Sequence, residues 1–317
     1  MFKLNFDIPK SEDKIRLSDP IYLMGSCFSD EIGTLLKDNK FDTLSNPFGT
    51  IYNPISLFKL LQNDVQVDNL IESHGVFYHW DAHGSISGLS SKKTIESFRR
   101  QVDLSNEFLT RSKWLIITLG TSIVYELKDS SIVANCHKVP SSSFSKRFLN
   151  HNEIMERFNK LYSYLRAANS ELNIIFTVSP VRHVRDGLVE NNRSKAILID
   201  AVHEIVEPYE NVSYFPSFEI VMDELRDYRF FKPDMIHPSD QAILYVWKRF
   251  VETYFDNESK AFLDDWEKLK SAIKHKPFQP KSNSHQQFIK STLSKLEKLN
   301  QKVNVSVEIE ELKKQLL

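Results

Sequence analysis

Short apolar runs alternate with longer amphipathic stretches from residue 21 to residue 256. Ile21-Tyr-Leu-Met24, Trp114-Leu-Ile-Ile-Thr-Leu119 and Asn173-Ile-Ile-Phe-Thr-Val178 lack polar alternation, which predicts strands covered on both faces. Val212-Ser-Tyr-Phe215 reads as a further strand, and Val124–Leu127 with Ser131–Ala134 as a hairpin around Lys128-Asp-Ser-Ser. The spacing predicts helices over 29–38, 55–62, 92–110, 152–168, 191–207 and 240–256. The last of these carries an apolar face of Ile243, Val246, Trp247, Phe250 and Tyr254. Strands separated by helices of this length predict an α/β fold of three layers, a mainly parallel sheet with helices on both faces. Past Asn257 the chain turns Lys/Glu/Ser-rich around Pro277 and Pro280. Residues 1–257 are therefore expected to form the α/β domain and 258–317 a polar helical extension. That extension shows no obvious core of its own, is expected to be dispensable for folding, and is a candidate self-association surface. No internal repeat is visible.

Composition changes this picture little. A formal net charge of −1 gives no reason to expect a nucleic-acid or membrane partner held by bulk electrostatics. No apolar run approaches the roughly 20 residues that span a bilayer, and the first residues lack a basic segment followed by an apolar one, so the cytoplasm is expected. The two cysteines, Cys27 and Cys136, cannot make a disulfide framework, which suits a reducing compartment. Glycine is scarce: 8 residues, where average usage gives roughly 22. Each is then expected where the backbone needs it, and Gly25, Gly49 and Gly120 all adjoin strand-like runs.

Two segments carry chemistry. Asp234-Met-Ile-His237 stands just before a helix, and its spacing lets the carboxylate fix one imidazole nitrogen and leave the other free as a base. The plain alternative is a capped turn with a surface histidine. Gly25-Ser26-Cys27-Phe28 puts a hydroxyl and a thiol between a strand and a helix, where ligands bind in doubly wound sheets. A helix N-terminus there favours an anionic nucleophile and a developing oxyanion. Its plain alternative is a small-residue turn with Cys27 as packing.

These residues resemble the GSCFA-domain family, a branch of the SGNH (GDSL-like) hydrolases, over roughly residues 20–255. The resemblance extends to Asn46-Pro-Phe-Gly49-Thr-Ile-Tyr-Asn-Pro54, Leu119-Gly-Thr-Ser122, Ala134-Asn-Cys-His-Lys138, Ser179-Pro-Val-Arg-His183, Tyr214-Phe-Pro-Ser217 and Asp227-Tyr-Arg-Phe230. It implies an esterase or acyl transferase acting on a small acyl group, such as O-acetyl on a carbohydrate. Aligning the superfamily's first block on Gly25 puts Cys27 at the nucleophile position, and a shift of one residue puts Ser26 there. His237 is the implied base and Asp234 its orienting partner. Gly49 and the Cys27 N–H are the implied oxyanion donors. The third block's asparagine is missing, so Ser122, Thr121 or Asn135 would have to substitute.

His137, Lys138, Arg182 and His183 are candidate contacts to an anionic or sugar substrate, with a packing or charge-network role as the alternative. His79 lies with His74, Asp81 and His83 in a segment whose Phe77, Tyr78 and Trp80 would make a stacking wall for a sugar. His-x-Asp spacing on a strand also suits a metal, but without a carboxylate cluster elsewhere neither metal nor other cofactor is expected. Two further readings stay open: a binding module that has lost its chemistry, and a metal-dependent phosphoesterase using His79, Asp81 and His83.

Overall fold

Trp114–Leu119 and Asn173–Val178 are strands buried at every residue, as the middle of a parallel sheet requires. The computed structural model describes residue 4 and residues 6–275 and 277–316. In chain order they form β1 (Ile21–Gly25), α1 (Cys27–Asp38), β2 (Thr43–Ser45) and α2 (Pro54–Leu61). Next come β3 (Leu70–Ser73), β4 (Val76–His79), β5 (Ser87–Gly88), α3 (Ser91–Arg111) and β6 (Trp114–Leu119). Strands β7 (Ile123–Glu126), β8 (Ile132–Val133) and β9 (Ser145–Phe148) lead into α4 (His151–Ala168) and β10 (Asn173–Val178). Then follow α5 (Leu188–Val206), β11 (Val212–Tyr214), the single-turn α6 (Ser217–Glu219) and α7 (Asp240–Tyr254). Helices α8 (Asn257–Lys274), α9 (Asn283–Leu299) and α10 (Ser306–Lys313) complete the described chain.

The main sheet has the order β11-β10-β6-β1-β2 and every pair is parallel. Alternate side chains divide between its two faces. Tyr22, Met24, Leu115, Ile117 and Phe176 join Leu57, Phe98, Phe158 and Leu198 from α2, α3, α4 and α5. Ile21, Leu23, Trp114, Ile116 and Ile175 join Phe28, Ile32, Val246 and Phe250 from α1 and α7. The expected three-layer α/β architecture is therefore present. After β1 the chain moves outward to β2, then returns to β6 on β1's other side, so the strand order reverses between β1 and β6. Ligands of doubly wound sheets bind at the carboxyl ends of the strands flanking such a reversal.

Strands β3, β4 and β5 form a separate antiparallel sheet, and β9 adds a third strand to the expected hairpin of β7 and β8. The C-terminal helices depart from expectation. Trp266, Ile289, Leu293, Leu296, Val305, Ile309 and Leu312 build a small apolar core among α8, α9 and α10. This assembly docks on the end of α1: the Trp266 indole N–H donates to the Asp38 carbonyl at 2.8 Å, and Lys40 pairs with Glu308. Among the described residues no helix is long and apolar enough to cross a membrane.

Candidate functional site

The β1–α1 turn is built by contacts that only small residues permit. A Cβ on Gly25, whose φ is +151°, would lie 2.2 Å from the Thr118 carbonyl oxygen of β6. The Gly25 N–H donates to Asn46 Oδ1 at 2.8 Å, and the Asn46 amide donates to Asp30 Oδ1 at 2.8 Å. The Ser26 N–H donates to the Thr118 carbonyl at 3.1 Å, which fixes the turn to the sheet. Ser26 is the N-cap of α1, with its hydroxyl accepting from the Phe28 N–H at 3.3 Å, and is only 1% exposed. Cys27, the first residue of the helix, is half-buried.

A residue that sequence reasoning missed lies behind this turn. Lys195 of α5 is buried, and its ammonium donates to the carbonyls of Gly120 at 2.6 Å and Ser179 at 2.7 Å. These carbonyls follow the ends of β6 and β10, so Nζ sits at the carboxyl edge of the sheet. Burial lowers its pKa to about 7, opposed by the Cys27 sulfur. Burial raises the Cys27 thiol, Asp30 and Glu31 raise it further, and the Cys27 N–H and Lys195 oppose them. Tyr52 closes the same corner: its carbonyl accepts from Gly120 and Thr121 N–H at 2.8 and 3.0 Å. Its hydroxyl pKa is raised by burial and by Cys27 and Asp30, against a hydrogen bond to Thr50. The signal for Lys195 was positional: it occupies the buried stripe of α5 with Asn191, Leu198, Val202 and Ile205.

The loop before α7 brings Asp234 and His237 into contact. Asp234 Oδ2 lies 2.7 Å from His237 Nδ1, while Oδ1 accepts from the N–H groups of Ile236 and His237 at 2.9 and 3.0 Å. Those backbone bonds, and then the imidazole, depress the Asp234 carboxyl to about 2. Met235 takes a φ of +58°, a costly conformation for a long side chain, held by its N–H to the Lys232 carbonyl at 2.9 Å. Arg182, in the loop after β10, donates to the Met235 carbonyl at 2.6 Å and stacks 3.9 Å above the Phe231 ring. Lys232 reaches Glu31 of α1 at 3.4 Å, tying this loop to the helix that begins with Cys27. Among the described residues no hydrogen bond joins Cys27 to His237, whose side chain is 43% exposed.

Several expected roles are corrected by the hydrogen bonds. The Gly49 N–H donates to the Asn46 carbonyl at 2.8 Å and is not free to receive an oxyanion. Thr121 Oγ1 and Ser122 Oγ lie 2.9 and 3.2 Å from the Ser194 hydroxyl in a buried cluster, where the Ser122 N–H also donates to Ser194 Oγ at 2.7 Å. Asn135 Oδ1 accepts from the His137 N–H at 2.9 Å, a local turn. His137 is buried, stacked on Tyr78, with Nε2 on the His79 carbonyl at 2.8 Å and a pKa lowered by burial to about 4.

His79 is fully buried against Phe98, with Nε2 at 2.9 Å from the Gln66 carbonyl and Nδ1 accepting from the Asp81 N–H at 3.1 Å. Both ring nitrogens are thus occupied by the neutral form, which its burial-lowered pKa also favours, so its 4.0 Å approach to the Asp81 carboxylate is not an ion pair. Asp81 pairs instead with Lys59 at 2.9 Å, and His83 Nδ1 meets Ser85 at 3.1 Å. The set of His79, Asp81 and His83 therefore forms no metal-holding group; among the described residues His151, Asp200 and Glu204 is the group close enough to do so. Tyr78 and Trp80 pack on His137, not as an open sugar wall. Lys138 is exposed. Arg182 supports the Asp234–His237 loop, and His183 lies 3.6 Å from Asp186 with burial lowering its pKa.

Comparison with known proteins adds a family. Residues 20–250 match the GSCFA family, and residues 266–317 match the C-terminal domain of GSCFA domain proteins. No curated protein matches the chain.

Proposed function

The chain belongs to the GSCFA family, and from that premise we propose that it is an SGNH-type hydrolase or acyl transferase that handles a small acyl ester, such as O-acetyl on a carbohydrate. The observation that carries this reading is the preformed Asp234–His237 pair, 2.7 Å apart, on a loop tied to α1 through Lys232 and Glu31. Cys27 is the better of the two nucleophile candidates, because the Ser26 hydroxyl is buried and committed to the helix cap. In the reaction His237 Nε2 takes the Cys27 proton as sulfur attacks the acyl carbonyl, and Asp234 stabilises the imidazolium. The Cys27 N–H, at the α1 N-terminus, is the donor that faces the developing oxyanion. His237 then protonates the leaving alcohol, and water activated by the same histidine hydrolyses the thioester. An acceptor alcohol in place of water gives transfer.

The occupied donors of Gly49 and Ser122 favour a second reading, a binding module that keeps the fold without the chemistry. Turnover of p-nitrophenyl acetate with and without a chelator separates the readings. Chelator-resistant turnover lost in Cys27→Ala and His237→Ala supports the hydrolase. No turnover supports the binding module, and turnover abolished by the chelator speaks against the metal-free Cys27 mechanism.

A further inference from the structure

Lys195 is unlike the other described lysines, because its whole side chain is enclosed and its ammonium is held by two backbone carbonyls at the carboxyl edge of the sheet, one strand over from the β1–β6 reversal. The sheet register sets what stands in front of it. Gly25 pairs with Thr118, two residues before Gly120, and Val178, one residue before Ser179, pairs with Leu119. Nζ therefore bridges the ends of β6 and β10, while Cys27 begins at the end of β1, the strand next to β6. A tetrahedral nitrogen bonded to its own carbon and donating to two carbonyls has one direction left. That direction carries a third N–H when the group is charged and a lone pair when it is neutral. Burying a lysine costs several kcal/mol unless a charge compensates it. Packing alone would be met by methionine or leucine in the same stripe of α5.

We propose that Lys195 is a positioning residue for Cys27: its ammonium, clamped between the Gly120 and Ser179 carbonyls, stabilises the Cys27 thiolate against the repulsion of Asp30 and Glu31. The groups around this pair are Asp30 and Glu31 from α1, Tyr52 from the loop after β2, His183 from the loop after β10 and, from the loop before α7, His237, the proposed proton acceptor. The two carboxylates oppose a thiolate, the Tyr52 hydroxyl and burial-depressed His183 are expected neutral at pH 7, and Lys195 is the cation that backbone carbonyls fix in place. Below its pKa of about 7 Lys195 is charged and supports the thiolate; above it that support fades. Cys27 reactivity is thereby coupled to a second titration besides its own. This inference takes Cys27 as the reactive group from the proposed function, but its test reads the thiol itself and needs no substrate.

The experiment is the pH dependence of iodoacetamide alkylation, followed by mass spectrometry on the peptides carrying Cys27 and Cys136. In Lys195→Met the Cys27 rate at about pH 6.5 is expected to fall about tenfold, one unit of thiol pKa, with Cys136 unchanged as internal control. An unchanged Cys27 rate in a variant that melts like the parent overturns the proposal. Because Lys195→Met also strips two carbonyls of their donor, the parent protein supplies a second measurement. Its Cys27 profile is expected to show an inflection at about 7 in addition to the thiol's own, retained in His183→Gln and in His237→Gln. A single thiol titration, or an inflection that vanishes with either histidine, overturns it. Loss of ester turnover leaves this result untouched, and a Lys195-dependent thiol in a protein without turnover would refute the hydrolase reading alone.

Discussion

His79 and His237 each stand within three residues of an aspartate, Asp81 and Asp234, yet their environments differ at every bond. His79 has both ring nitrogens engaged, lies flat on Phe98 at 3.5 Å, and leaves Asp81 to Lys59. His237 has one nitrogen on Asp234, no described hydrogen bond at the other, and a side chain 43% exposed. The first arrangement fixes a neutral ring as a packing and hydrogen-bonding unit against α3. The second fixes a tautomer and leaves a basic nitrogen available. Hydrogen-bond accounting, more than residue type or spacing, distinguishes a structural histidine from a candidate base.

The contrast breaks first at activity. His237→Ala and Cys27→Ala are expected to lower p-nitrophenyl acetate turnover by about 10²–10⁴-fold with the melting transition unchanged. Equal turnover in both variants would leave the Asp234–His237 pair as a capped turn. His79→Ala should do the reverse, because it removes a stacked ring and two hydrogen bonds. A loss of about 3–4 kcal/mol in urea unfolding is expected, with turnover per folded molecule retained. If stability is untouched and turnover is lost, His79 belongs to the site after all.

His137 sharpens the comparison through pH. Its pKa falls from 6.5 to about 4 on folding, so between these values the unfolded state binds the extra proton. Its stabilising contribution is complete above pH 6.5 and is lost as pH falls toward 4, up to about 3 kcal/mol. His137→Gln should flatten the melting temperature across that window. The smallest effect concerns Ser26→Ala, which removes the cap on the Phe28 N–H. About 1 kcal/mol of stability should go, with turnover within a few-fold of the parent. Abolished turnover would instead move the nucleophile from Cys27 to Ser26.

The sequence was informative wherever burial is symmetric. Trp114–Leu119 and Asn173–Val178 coincide with their strands because an apolar run without alternation has few other places in an α/β fold. Thr43–Ser45 was not legible, being three half-buried residues at the sheet edge. The polar strand Ser145–Phe148 escaped for a similar reason, since it pairs on one side only, with β7. The Asp234–His237 bond is local, so spacing predicted it. The site's other half depends on long-range pairing. Ser194 and Lys195 are far in sequence from Ser122 and Gly120, and only the packing of α5 on β10 and β11, which brings it against the loop after β6, reveals that the Ser122 donor is spent and that Lys195 enters the edge. The C-terminal core escaped notice because its apolar residues are thinly spread over three polar helices and cohere only when these pack together.

The central claim is that Cys27, served by the Asp234–His237 pair, forms the acyl-enzyme. The most direct measurement is to mix the protein with p-nitrophenyl acetate, quench it with acid during turnover, and map the acetyl group by peptide mass spectrometry. The account predicts one acetyl on Cys27, absent in Cys27→Ala and strongly reduced in His237→Ala. Acetyl on Ser26, or acetyl spread over Cys136 and surface lysines with no dependence on His237, would contradict it.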